Sequence, residues 1–180
     1  MCDIAAVIEQ TRKWILEVVI GCNFCPFAFR VMKKNSLHFR VELSDELSLC
    51  LEAFLQECRR LDKALEIDST LVIFPNSFQR FDDFLDTVSL AEKLLKRNGY
   101  EGIYQVASFH PLYRFANSTL HDAANYTNRS LYPMLHLLRE NLMEEALLNY
   151  PNPEQIPNKN ISFAREKGEA YMKMLRESCL

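Results

Sequence analysis

The stretch "GCNFCPFAF", Gly21–Phe29, sets Cys22 and Cys25 three apart in front of Pro26. That spacing serves three chemistries: a redox pair, half of a metal clamp, or one nucleophilic thiol with a neighbour. In a thioredoxin-like pair the first cysteine follows a strand and caps a helix. Here a helical pattern comes before the motif, and Pro26 suits a first helical position, where its missing N–H costs nothing. A short helix over 26–34 is therefore predicted, with Cys25 as its cap. Structural zinc needs four ligands, and no second C-x-x-C or C-x-x-H completes a set. What remains is Cys25 at a helix N-terminus, where the dipole lowers a thiol pKa. The plainer reading is a core thiol packed among Phe24, Phe27 and Phe29. Cys50 and Cys58 lie along the apolar stripe Leu47, Leu51, Phe54/Leu55 and Leu61, and read as core thiols.

Polar groups concentrate again between Ser108 and Glu140. His110 falls one residue past a predicted strand, at the carboxyl edge where open α/β sheets hold ligands. "NYTNRS" then leads into a predicted helix that Asn128 or Ser130 can cap. A helix N-terminus beside Arg129 suits a carboxylate or phosphate; a capping network alone is the plainer account. Asn125, Tyr126, Asn128 and Arg129, with Arg139 and Glu140 further on, are the substrate-binding candidates. His136 and Glu140 are four apart, hence on one face if the segment is helical. They read as metal ligands with His110 or Asp122, as a base with its orienting acid, or as a solvated pair. The catalytic candidates are Cys25, His110 and His136, with Asn125 or Asn128 able to stabilise an oxyanion. Cys25, His110 and Arg129 are expected to line one electropositive pocket.

The elements that must position these groups follow from periodicity. Ile4, Ile8, Ile15 and Val18/Val19 mark a helix over 4–20, with Gly21 where a C′ glycine belongs. Strands are predicted near 37–43, 69–75 and 103–109, separated by helices over 44–65 and 79–97. A helix over 131–148 and a final helix to the C-terminus complete the chain. The β-α-β-α-β order implies parallel strands with right-handed crossovers. One α/β domain over 1–180 is expected, its sheet mostly parallel, of about three or more strands, and covered by helices. A ferredoxin-like α+β arrangement is the alternative.

Composition excludes whole classes. The 180 residues carry a net charge of −3, with 48% hydrophobic and 25% charged residues, as globular domains do. No basic stripe suggests a nucleic-acid partner. Four glycines leave no phosphate-binding loop, and no cofactor motif is present. With no signal peptide or apolar run long enough to span a bilayer, a cytoplasmic protein with no membrane partner and reduced cysteines is expected.

The segments together resemble an uncharacterised, mainly bacterial family, domain-of-unknown-function family 1415. Its pattern reads "GLNLCPFA", "DFLD", "FHPxYxFA" and "NYTNRSPYPxLHLLRE"; this chain has "GCNFCPFA", "DFLD", "FHPLYRFA" and "NYTNRSLYPMLHLLRE". Cys22 and Phe24 stand where the pattern has leucine, and Leu112 where it often has an acid. Cys25, His110 and Arg129 sit on matching positions, so the resemblance favours Cys25 over Cys22 as the thiol of interest. It implies no activity. From the residues, three functions are carried forward: a thiol-dependent hydrolase or transferase acting on a small anionic substrate; a metal-dependent enzyme or metal-binding protein using His136 and Glu140 with His110; and a non-catalytic binder of an anionic metabolite.

Overall fold

The computed structural model describes residues 2–180. Helix α1, Ile4–Trp14, opens on Asp3, whose carboxylate accepts from the Ala5 amide at 2.9 Å. It continues as a π-helical stretch over Ile15–Ile20. Gly21 follows in right-handed helical conformation, not in the left-handed one expected of a C′ glycine. Its need is steric, since a Cβ there would lie 2.2 Å from the Glu17 carbonyl oxygen. The left-handed residue of the turn is Asn23, at φ 55°.

Helix α2 is Ala28–Lys34 and leads to strand β1, Leu37–Val41. Helix α3 spans Leu47–Lys63, with Glu46, not Ser44 or Asp45, at its N-cap. Strand β2 is Ser69–Ile73, helix α4 is Phe81–Arg97 and strand β3 is Tyr104–Phe109. To this point the observed order is the expected one. The segment predicted as a helix over 131–148 is not one helix. Strand β4, Met134–Arg139, occupies its first half and helix α5, Glu140–Leu148, its second. The leucine spacing imitates a helix, but "MLHLLR" is the near-continuous apolar run of a strand covered on both faces, and its backbone pairs with β2 and β3.

β4 enters between β2 and β3, giving the order β1-β2-β4-β3. β1 and β2 are parallel, whereas β4 runs antiparallel to both of its neighbours. The sheet is therefore mixed, and mostly antiparallel rather than mostly parallel. β2 and β3 still run the same way, with β4 filling the gap that the α4 crossover leaves. Helices cover both faces, unlike the one-sided layering of an α+β ferredoxin-like domain.

Side-chain alternation divides the core in two. Leu71, Ile73 and Met134 face one cluster with Val7, Trp14, Val18 and Phe24, joined by Ala164 and Met172. The last two come from helices α6, Ile156–Lys167, and α7, Glu169–Glu177. These replace the single C-terminal helix, and the break is Gly168 at φ 82°. On the other face Val72, Phe74, Leu135 and Leu137 meet Cys50, Phe54, Cys58, Phe84 and Leu95 of α3 and α4. Cys50 and Cys58 are thus core thiols, at 1% and 0% exposure.

Candidate functional site

The three residues expected to share a pocket are separated. Cys25 packs against the α1/α6/α7 face of the sheet. His110 lies on the opposite side, its ring 5.2 Å from Phe81 and 5.1 Å from Phe84 of α4. It is 1% exposed, and both ring nitrogens are occupied. Nε2 donates to the Phe78 carbonyl at 2.7 Å, and Nδ1 accepts the Leu112 amide at 2.9 Å. Burial lowers its pKa, so it stays a neutral imidazole tied at each end.

Arg129 is buried and spoken for. Its Nε donates to the Tyr113 carbonyl at 3.0 Å, one terminal nitrogen donates to Leu120 at 2.9 Å, and the guanidinium stacks 4.6 Å from the Tyr126 ring. Its own carbonyl accepts from the Trp14 indole. Asn125, fully buried, accepts from the Phe115 amide and the Ser118 hydroxyl and donates to the Thr119 carbonyl. Asn128 caps the 3₁₀ turn Ala123–Thr127, and its carbonyl accepts the His110 amide. The polar residues of "NYTNRS" therefore anchor the segment 110–122, whose carbonyls and amides have no sheet or helix to pair with. No regular helix begins there, so the expected anion site at a helix N-terminus does not form.

Arg139 lies on the α3 side of the sheet and donates to the carbonyls of Ile67, Leu61 and Ala64 at the end of α3. Glu140 is the first residue of α5, while His136 is on a strand, so the two do not share a helical face. Asp122 caps the 3₁₀ turn and pairs with Arg165 at 2.8 Å. Among the described residues no three His, Cys, Asp or Glu side chains are grouped to hold a metal ion.

One pair of candidates is brought together. Cys25 and His136 both line a chamber of about 190 Å³ between the sheet and the α1/α2 layer. Trp14, with Ile15 and Val19 of the π-helical stretch, forms one wall; Phe27, Ala28, Val31 and Met32 form another; Leu71, Ala107, Phe109 and Leu138 form the sheet side. The chamber is lined almost wholly by carbon and sulfur. It abuts an outer cleft of about 290 Å³ that carries Arg30, Asp68, Asn149 and Tyr150, with the candidate Arg139 also on its wall. Phe27, Val31, Ser69, Leu138 and Met143 line both spaces, which therefore lie side by side.

Chemistry in the chamber is set by desolvation. Helix α2 starts at Ala28 rather than Pro26, so Cys25 sits just before its first turn. The backbone amides of Phe27 and Ala28 act to lower the thiol pKa, as the capping argument anticipates. Burial outweighs them, and the thiol is raised, not lowered. His136 is pushed down to about 4 by burial alone. Its Nε2 lies 3.1 Å from the Ser69 hydroxyl, a residue sequence reasoning passed over. The signal was present: Ser69 and His136 are the polar members of otherwise apolar, inward-facing strand positions. All six cysteines are free, so Cys22 and Cys25 form no disulfide.

Fold and site define a small mixed α/β protein with an apolar chamber against one face of its sheet. The family model described as "Protein of unknown function (DUF1415)" matches residues 6–174, and the chain belongs to that family. No curated protein and no solved structure matches it. No helix among the described residues is long and apolar enough to cross a membrane.

Proposed function

We propose that the chain binds a small amphipathic molecule, its apolar part in the Cys25/His136 chamber and its polar end in the outer cleft beside Arg30. The observation that carries this reading is a carbon-walled chamber set against a polar cleft, the two sharing five wall residues. Small-molecule sites have this form, mostly apolar with a few placed polar groups. Arg30 is exposed and supplies the positive charge that Arg129, tied into the loop, does not. An anionic end on the ligand is thus retained, but it belongs in the cleft. Trp14 is the chain's only tryptophan and forms part of the chamber wall, so its fluorescence reports occupancy. Titration with small aromatic acids should shift that emission saturably. Ala107→Leu, which fills the chamber from β3, should abolish the shift while leaving the fold intact. An unchanged titration curve in that variant rejects the reading.

A second reading keeps Cys25 as a nucleophile with His136, in place of His110, as its base, since one chamber holds both. Acyl transfer to the thiol would form a thioester, with the thiol proton passing to the imidazole and on to the leaving group. With the thiol raised above its ordinary value and the imidazole held near 4, that transfer is uphill in the resting protein, so substrate binding must close the gap. Iodoacetamide labelling followed by mass spectrometry measures the resting thiol. Half-exposed Cys2 should label before Cys25 at pH 7.5, and the Cys25 rate should still be climbing at pH 9. A Cys25 that outpaces Cys2 at neutral pH would instead favour thiol catalysis.

A further inference from the structure

We infer that the apolar part of the chamber's ligand carries a neutral hydrogen-bond acceptor, a carbonyl-type oxygen, which docks on the Ser69–His136 pair. The inference rests on the chamber-binding reading and names the chemical class of what enters. It follows from counting hydrogens. The only hydrogen bond that either side chain makes, among the described residues, is the 3.1 Å contact between His136 Nε2 and Ser69 Oγ. Burial keeps the imidazole neutral at physiological pH. The pair then owns one ring N–H and one hydroxyl O–H, two polar hydrogens for one bond. If Nε2 donates, the hydroxyl hydrogen has no acceptor; if the hydroxyl donates, the ring hydrogen sits on Nδ1 without one. No tautomer removes the surplus.

The other side chains on the chamber's sheet wall, Leu71, Ala107, Phe109 and Leu138, carry no oxygen or nitrogen to take it up within the chamber. An unpaired polar hydrogen in such surroundings is costly, whereas a ligand oxygen placed on it recovers a hydrogen bond. A carboxylate at this point is disfavoured, because stripping its hydration among carbon walls costs more than one neutral donor returns. The charged end of the ligand therefore stays in the outer cleft. For size, a cavity of about 150 Å³ accommodates benzene. The chamber's 190 Å³ therefore fits a single ring, or a chain of about six to eight carbons, bearing the carbonyl.

Ethylbenzene and acetophenone match in shape and differ by a methylene against a carbonyl, so they isolate the acceptor. Affinities for both, from NMR titration of the full chain, give a carbonyl-to-methylene preference. That preference should fall roughly fivefold in the double variant Ser69→Ala/His136→Leu, which removes both hydrogens, in line with the loss of one hydrogen bond. The wild-type protein supplies an independent readout: the ring ¹⁵N signals of His136 should move with acetophenone and stay with ethylbenzene. Equal preferences in the two proteins, or identical ring shifts with both probes, overturn the carbonyl inference while leaving chamber binding intact. If neither probe binds the wild-type chain, chamber binding fails and the inference with it.

Discussion

Arg129 shows how one side chain can look like a binding residue and serve as an anchor. A guanidinium offers five donors in a rigid fork, which suits a phosphate and equally suits two backbone carbonyls. Here the fork closes on Tyr113 and Leu120 and lies over Tyr126, holding both limbs of the loop between β3 and the 3₁₀ turn. Arg129→Ala removes the side-chain donor from both carbonyls and the stacking on Tyr126. It should lower stability by roughly 3 kcal/mol in chemical denaturation. Arg129→Lys should recover less than half of that, because an ammonium cannot span both acceptors in this geometry. Amide hydrogen exchange should accelerate across 111–121 in each variant, with the strands little changed. A stable Arg129→Ala protein with a protected loop would contradict the anchoring role.

At the scale of elements, the π-helical stretch and β4 shape the chamber. The extra residue per turn in Ile15–Ile20 turns Ile15 and Val19 towards the sheet beside Trp14. Departures of this type occur often at functional sites. Gly21 closes the stretch, its amide donating to the Leu16 carbonyl at 2.9 Å. Helix propensity alone predicts that Gly21→Ala adds about 1 kcal/mol of stability. The Glu17 carbonyl, 2.2 Å from the position a Cβ would take, predicts the opposite sign. Gly21→Ala should lower stability by about 2 kcal/mol, read as a lower melting temperature, because backbone and not a flexible side chain must move. β4 brings His136 opposite Leu71 and Ala107, and so into the chamber wall. On the helix expected from leucine spacing the same residue would have faced Glu140.

For the whole molecule, three histidines that folding withdraws from water, wholly or in part, make stability depend on pH in a defined direction. His136 is neutral at pH 7 in both folded and unfolded chains. Below about 6.5 the unfolded chain takes up a proton, while the folded chain resists until about 4. Stability is therefore complete above pH 6.5 and falls as the pH drops towards 4, by up to about 3 kcal/mol from this group. His38 and His110, also lowered by burial, add to the fall in the same direction. Urea denaturation at pH 7.0 and pH 5.0 should show a smaller difference in His136→Leu than in the wild-type chain. An equal difference would mean that His136 is not buried as a neutral group.

Much of this was legible in the chain itself. Local patterns determined the first helix, the three strands β1 to β3, the helices between them, and Cys50 and Cys58 as core thiols, because apolar spacing and capping act over a few residues. The family could be identified too, since its motifs are contiguous. Three things depended on contacts between distant segments. A strand covered on both faces carries the same leucine-rich signature as a buried helix, so only pairing with β2 and β3 shows that 134–139 is β4 and that the sheet is mixed. Whether Arg129, Asn125 and His110 are free to meet a ligand depends on which carbonyls and amides the folded loop leaves unpaired, and each of the three is tied to such groups. The chamber joins Trp14, Ser69 and His136 from three separate elements with Cys25 from the turn before α2, and desolvation there reverses the pKa shift that a helix N-terminus gives a thiol. Burial is a property of the assembled layers, and no local stretch of sequence contains it.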